Sequence, residues 1–429
     1  MLRSTFAVPL ALALLMPSGS ALAQPEDELP QDSPFLSFER PQRWTFGLRA
    51  TLLAGESASN VATARRSGGR SVANRTLSLD EWRFEQFVVV APVVLRTASS
   101  LALMSKPTGS LELDDFIVDE EPTIPPPYQG QALYARWDLA TAGVAREMEL
   151  EQWIDYISYE TVFDEDAAMQ IGWPTRWPGE AQSTFLPQQY VSLDAAGSPF
   201  PASDTTVADL LAKWTGGEDP KAIPPVQLAK WLAGKVQEYV RISRAGTTNR
   251  RQQDAEMATA SPTASGIEVK SAPETALIGE GTKHDAAVLL AALYREAGLP
   301  TRLVMGYQEN ERDGSRKLRD QERIRSWVEF ALYDEASDQL TWVPVDVARL
   351  RESSSRMKPM DQKWKYFGSH DELDDVVPIA FHIHPPTDVR SYASAAFFGI
   401  TMVPAPPDRA TQFITFSQNR TPTRPPEQD

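Results

Sequence analysis

The sequence predicts an α+β fold, with a strand-rich, β-sandwich-like N-terminal domain followed by a core of helices packed on an antiparallel sheet. Between Trp44 and about Asp194 the chain is dominated by extended runs such as Trp44–Leu53 and Phe87–Leu95. Two later stretches, Pro220–Arg244 and Lys283–Ala297, carry apolar residues at helical spacing. Three strand-like runs then follow the second helix directly, at Thr301–Tyr307, Ile324–Tyr333 and Leu340–Val347, and helix followed by consecutive strands is an α+β order.

Taken from the N-terminus, the chain opens with Met1-Leu2-Arg3, an apolar run from Phe6 to Met16, and a small-residue ending Ser18-Gly19-Ser20-Ala21-Leu22-Ala23. This is the pattern of a secretory signal peptide over residues 1–23, with a mature chain from about Gln24 and a periplasmic or secreted bacterial location. Pro9, Pro17 and Gly19 interrupt the run, which is too short for a transmembrane anchor. No later segment is long and apolar enough to span a bilayer, so no stable membrane insertion is expected after cleavage.

Residues 24–43 are acidic and proline-bearing and read as a linker. Residues 44–205 form the N-terminal β-rich domain. Within it Ser57–Ala73, rich in Ser, Arg and Gly, reads as a mobile loop. From Met148 to Val162, Met148, Leu150, Ile154, Tyr156 and Val162 alternate with Glu149, Glu151 and Asp155, which favours one long strand over the helix that the Glu-rich content also allows. The Trp173-Pro174 and Trp177-Pro178 pairs read as a turn whose tryptophans pack on the sheet. Residues 206–402 form the core. Its first helix starts at Pro224-Pro225, a polar irregular loop covers Arg244–Glu274, and Gly298-Leu299-Pro300 ends the second helix. The proline-rich, polar segment 403–429 reads as a disordered tail.

Composition narrows the chemistry. The 429-residue chain has no cysteine, which excludes thiol catalysis, disulfides and a Cys-ligated zinc site. A formal net charge of -16 argues against nucleic acid and anionic membranes as partners. There is no glycine-rich phosphate loop or dinucleotide fingerprint, so no cofactor is expected. His382-Ile383-His384 puts two imidazoles on one strand face, a spacing seen in metal sites. Without a third ligand the pair remains a weak candidate, and no metal is assigned. His370, in a Gly-Ser-His-Asp-Glu turn, reads as solvated.

Three segments carry the functional signal: Gly279-Glu280-Gly281-Thr282-Lys283-His284-Asp285, then Arg325-Ser326-Trp327-Val328-Glu329, then Trp342-Val343-Pro344-Val345-Asp346. In that order, with Pro300-Thr301-Arg302 and Gly306-Tyr307 between the first two, they resemble the catalytic segments of the transglutaminase-like, papain-related superfamily. The resemblance covers roughly Pro220 to His384. It implies a cysteine nucleophile at the position of Lys283, a histidine base at Arg325 and an orienting aspartate at Asp346. An ammonium at the helix N-terminus replaces the thiolate, and a permanently protonated guanidinium replaces the base. Arg325 and Asp346 are therefore expected to form an ion pair.

Arg325, Trp327 and Glu329 share strand parity, and with Lys283 and Asp346 they are the candidate binding residues, placed on a cationic pocket. The resulting reading is an exported pseudoenzyme that serves as a peptide- or protein-binding or scaffolding module, because the family's cleft takes extended chain. The alternative is an active hydrolase or acyltransferase of altered mechanism, through Lys283 and Asp346 or a His-based metal site. A nucleophilic lysine would need its pKa lowered by burial, which a second cation at Arg325 would assist. The signal-peptide reading has a direct test: intact mass of protein recovered from the periplasm should correspond to a chain beginning near Gln24, and an uncleaved mass would refute it.

Overall fold

The computed structural model describes residues 33–54, 81–85, 87–103, 108–114, 116–118, 132–139, 142–185, 205–242, 270–311, 316–318, 320–381, 401–403 and 410–421. The signal-peptide segment, the Ser57–Ala73 loop, most of Arg244–Glu274, and His382 and His384 lie outside them.

The largest sheet is built on two long antiparallel strands, Leu36–Ala54 and Glu147–Phe163. Its strand order is Ala410–Arg420, Leu36–Ala54, Glu147–Phe163, Thr108–Leu113 and Phe116–Val118, with Ser100–Ala102 also paired to Glu147–Phe163. The expected alternation holds from Met148 to Tyr156, where the even positions are buried. Beyond Tyr156 both faces are covered through Thr161, because the core packs there, and Val162, expected on the buried parity, is exposed instead. Gly47 admits the Trp153 ring across the pleat, since a Cβ would lie 2.3 Å from that ring. Smaller sheets join Thr401–Val403, Phe87–Val94 and Ala132–Leu139, and pair Trp82–Phe84 with Gly143–Ala145.

Two boundaries differ from the sequence reading. The first strand begins at Leu36, inside the stretch read as linker, and Pro41 is tolerated because the register shifts between Glu39 and Gln42. The segment read as a disordered tail contains the strand Ala410–Arg420, which pairs with the first strand from Ala54 opposite Ala410 to Trp44 opposite Arg420. Thr411-Gln412-Phe413-Ile414-Thr415-Phe416 has the β-branched and aromatic content of a strand. The neighbouring prolines at 404, 406, 407 and 422 lie beyond the ladder.

The core sheet is four-stranded and antiparallel, in the order Gln339–Val345, Ile324–Asp334, Thr301–Tyr307 and Val377–Phe381. Helix Lys283–Glu296 packs on it and against helix Pro225–Tyr239. A capping box starts the former: the Thr282 hydroxyl accepts from Asp285 N, and the Asp285 carboxylate accepts from Thr282 N. Such a cap contributes roughly 1 kcal/mol. Leu289, Leu290, Leu293 and Tyr294 are fully buried, each Leu worth roughly 1.5–3 kcal/mol. Two helices absent from the sequence reading appear: Thr206–Thr215 in the expected inter-domain join, and Val347–Ser353, for which Asp346 is the N-cap. In the Trp-Pro region Trp177 packs against the cluster of Ala331 and Trp342 on the core sheet, as expected, while the polar contact of Trp173 is to a segment off the sheet. Trp173 Nε1 donates to Ile223 O at 2.8 Å, and the Trp173 and Trp177 rings meet edge to face.

The N-terminal sheet and the core share one hydrophobic cluster, and polar contacts pin them together. Trp44 Nε1 donates to Asp374 O, Ser158 Oγ to Val376 O, and Thr161 Oγ1 to Gly368 O. Gly368 has φ +72, and a Cβ there would meet the Phe163 ring at 2.2 Å, so the bare backbone permits this contact. The deepest tie is Glu329, fully buried, whose Oε2 accepts from Arg302 Nε at 2.7 Å. Its Oε1 accepts from Trp327 Nε1 and from the backbone N–H of Ala98, both at 2.9 Å. Arg302 is itself 2% exposed and lies 4.3 Å from the centre of the Trp342 ring. Removing the carboxylate would take the 2.7 Å counter-charge from the buried guanidinium, with Glu180 standing at 3.8 Å, and would deprive two N–H donors of their acceptor. Glu329→Ala is therefore expected to cost about 3–5 kcal/mol in urea unfolding, and a loss below about 1 kcal/mol would contradict the latch.

Candidate functional site

Lys283 is the first residue of its helix, Arg325 the second residue of the strand Ile324–Asp334, and Asp346 the N-cap immediately after the strand Gln339–Val345. Antiparallel pairing of those two strands, with the helix Lys283–Glu296 packed on Ile324–Asp334 and on the helix that Asp346 caps, brings the three positions to one place. All three line a single cleft of about 550 Å³.

Asp346 is the centre of the polar network. Its Oδ2 accepts from Arg325 Nη2 at 3.1 Å and from His370 Nε2 at 3.3 Å, while Oδ1 accepts the backbone N–H of Arg349 at 3.0 Å and so caps the following helix. Burial alone would push this carboxyl up, but the His370 hydrogen bond and the Arg325 charge hold it well below the usual carboxylate range. Arg325 also reaches Glu372 at 3.2 Å and Gln308 Oε1 at 3.3 Å. Glu372 pairs in turn with Arg349 at 2.7 Å, which pairs with Glu352 at 2.7 Å. Against the burial that would raise it, the charges of Arg325 and Arg349 lower the Glu372 carboxyl.

His370 corrects the sequence reading, which placed it in solvent: its side chain is wholly buried. The backbone N–H of Glu372 donates to His370 Nδ1 at 3.2 Å, which assigns the proton to Nε2, the atom facing Asp346. The aspartate thus retains an imidazole partner, supplied from a later segment than Arg325. Both ring nitrogens are occupied, so this imidazole has no free nitrogen to offer a ligand. Burial, followed by the opposing effects of Asp346 and Arg325, leaves its pKa lowered and the ring neutral. Nothing in the local sequence marks His370 except its position in the turn around Gly368.

His284 and Ser326 form a second buried pair, with Nδ1 and Oγ 2.9 Å apart. It has the outline of a nucleophile and base, and Ser326 lines the cleft. Burial and the neighbouring Lys283 charge push His284 down to about 3, too weak a base to activate a hydroxyl at neutral pH. Lys283 itself has its pKa lowered, first by burial, with Asp346 opposing and Arg325 reinforcing the shift.

Of the predicted site residues, Lys283, Arg325 and Asp346 meet at the cleft, and Trp327 and Glu329 do not. Trp327 is 1% exposed and packs with Val94, Val304, Leu373 and Val376, while Glu329 belongs to the Arg302 latch. Their shared parity was legible, and their indole–carboxylate hydrogen bond confirms the shared face. That face is covered by the segment around Ala98, which parity could not reveal. The cleft also uses residues the sequence reading did not select: Gln308, Arg316, Arg349, Lys365 and Glu372. The expectation for His382 and His384 falls outside the described residues.

Comparison with known proteins gives this geometry a context. Residues 210–347 match the family model described as the transglutaminase-like superfamily, a segment that contains Lys283, Arg325 and Asp346 but ends before His370 and Glu372. No curated protein matches the chain. Among solved structures, a protein from Cytophaga hutchinsonii, named provisionally as a cysteine protease, is 14% identical, with 91% of this chain and 94% of that chain covered at a TM-score of 0.47. Another from Parabacteroides distasonis, named provisionally as a protease, is 10% identical, with 72% and 67% covered at a TM-score of 0.16.

The buried imidazoles make stability pH-dependent. His284 titrates at about 3 in the folded protein and near 6.5 when unfolded, so the unfolded chain binds its proton more readily. Its contribution is therefore full above about pH 6.5 and is lost as pH falls toward 3, and the lowered His370 acts in the same direction. The depressed Asp346 and Glu372 add a further loss only below about pH 4. Urea midpoints are expected to decline from pH 7 to pH 4, with His284→Gln flattening the decline; an unchanged slope in that variant would sink the assignment.

Proposed function

We propose that this chain, which carries a transglutaminase-like domain with Lys283 and Arg325 at the nucleophile and base positions, is an exported binding module without the family's catalysis, whose cleft takes an extended peptide or protein segment. The observation that supports this most directly is the open cleft of about 550 Å³ at the altered triad. Its volume lies in the range of ligand sites, roughly 300–1,000 Å³, where a salt-bridged relic would have been filled. The signal-peptide pattern at residues 1–23 supports export, and among the described residues no helix is long and apolar enough to cross a membrane.

Several features weigh against turnover by the family's route. The chain has no thiol. Arg325 is permanently protonated, both nitrogens of His370 are occupied, and His284 is too weakly basic. Asp346, held deprotonated far below the usual range by three donors, is a poor base and a poor acid. A cleft lined by both Arg349 and Glu352, and by both Lys365 and Asp371, suits a polar segment carrying charges of each sign.

The test is selection of a random peptide library on the full chain, with an amine-incorporation and amidase assay run in parallel. Enriched peptides should bind Lys283→Glu about tenfold or more weakly, a loss of ~1.4 kcal/mol, and neither assay should show turnover. Equal binding to Lys283→Glu would remove the cleft from the account. Turnover abolished by Lys283→Ala would establish an active enzyme instead.

A further inference from the structure

The cations lining the cleft divide unequally. Arg316 pairs with Glu311, Arg325 with Asp346 and Glu372, Arg349 with Glu372 and Glu352, and Lys365 with Asp371 at 3.0 Å. Lys283 also lines the cleft, yet among the described residues no carboxylate lies within ion-pair distance of its amine and no group hydrogen-bonds to it. The nearby carboxylate of Asp346 is already engaged by Arg325, His370 and Arg349 N.

A half-buried lysine without a counterion, beside a fixed guanidinium and at the positive end of a 14-residue helix, keeps its proton less tightly than a surface lysine. The groups that set its charge state are known on each side. Burial, Arg325 and Arg349 favour the neutral amine, while Asp346 and Glu352 oppose them, and the balance is downward.

We propose that Lys283 is a nucleophilic amine that captures a carbonyl ligand, an aldehyde or ketone, in the cleft as an imine. The Nζ lone pair attacks the carbonyl carbon while the C=O π pair moves to oxygen, which takes a proton. Nitrogen then loses one proton to water. The resulting carbinolamine expels its hydroxyl, which takes a proton from solvent and leaves as water, while the nitrogen lone pair forms C=N. The protonated imine returns its remaining N–H proton to solvent. Amine and carbonyl thus give imine and one water, with no oxidant or further reactant. A carbonyl fits better than an acyl donor. Resolving an amide would need the acid–base pair that this site lacks, whereas an imine forms and hydrolyses reversibly with water alone. The inference does not require that the cleft hold a peptide.

The experiment treats the full chain with propanal and cyanoborohydride at pH 7, and reads propyl adducts on each lysine by peptide mass spectrometry. Lys283 is expected to be alkylated about tenfold faster than the exposed Lys213. Its rate should also level off below the pH range in which an ordinary lysine amine titrates. Lys283→Arg should remove the fast adduct while keeping the charge. Arg325→Gln, checked for folding by circular dichroism, should slow alkylation at Lys283 and leave Lys213 unchanged. Alkylation of Lys283 no faster than Lys213, or a fast adduct that persists in Lys283→Arg, would overturn the proposal. Loss of peptide binding alone would leave these rates untouched, so the two readings fail separately.

Discussion

The carboxylate of Asp346 holds the site together. One oxygen starts the helix Val347–Ser353, and the other binds Arg325 from the neighbouring strand and His370 from the turn beyond Gly368. Three separate stretches of chain converge on a single anion, and its charge is what makes a buried guanidinium tolerable beside it. Without that anion, Arg325 would retain Glu372 as its one counter-charge among the described residues, and His370 would lose the acceptor for its proton. The geometry of the cleft floor follows from this convergence.

With Arg325 at a position that the family resemblance assigns to a histidine, the charges around Asp346 form a satisfied electrostatic network. In the arrangement that the family resemblance implies, the aspartate would orient a titrating histidine. Here it balances a fixed cation and anchors a histidine whose nitrogens are both used. Lys283 is the exception, the cleft-lining cation that was not absorbed into the ion-pair chain among the described residues. A network otherwise closed upon itself thus leaves one amine facing the space where a ligand would lie.

Much of this was legible in the sequence, for identifiable reasons. Helices Pro225–Tyr239 and Lys283–Glu296 and the strands that follow showed clear periodicity and clear stops. The ion pair of Arg325 with Asp346 followed from the positions that the family resemblance assigns to the three segments. His370 was not legible, because it reaches Asp346 through a turn whose path depends on Tyr366 and Gly368 at positive φ. Trp327 and Glu329 were placed on the right strand face, but what covers that face comes from around Ala98, far away in sequence. The strand Ala410–Arg420 was hidden by its proline-rich surroundings, although its own β-branched and aromatic content pointed to it.

That last strand has a consequence for biogenesis. It occupies the outer edge of the first strand, so residues 410–420 complete a sheet begun by residues 36–54. During synthesis the strand Leu36–Ala54 emerges with one flank of backbone donors and acceptors unsatisfied until residues 410–420 have followed. Long, bare strand edges invite pairing with other chains. Folding of this protein is thus bound to late chain completion, and a nascent or truncated form would present that edge to holdase chaperones or to other copies of itself.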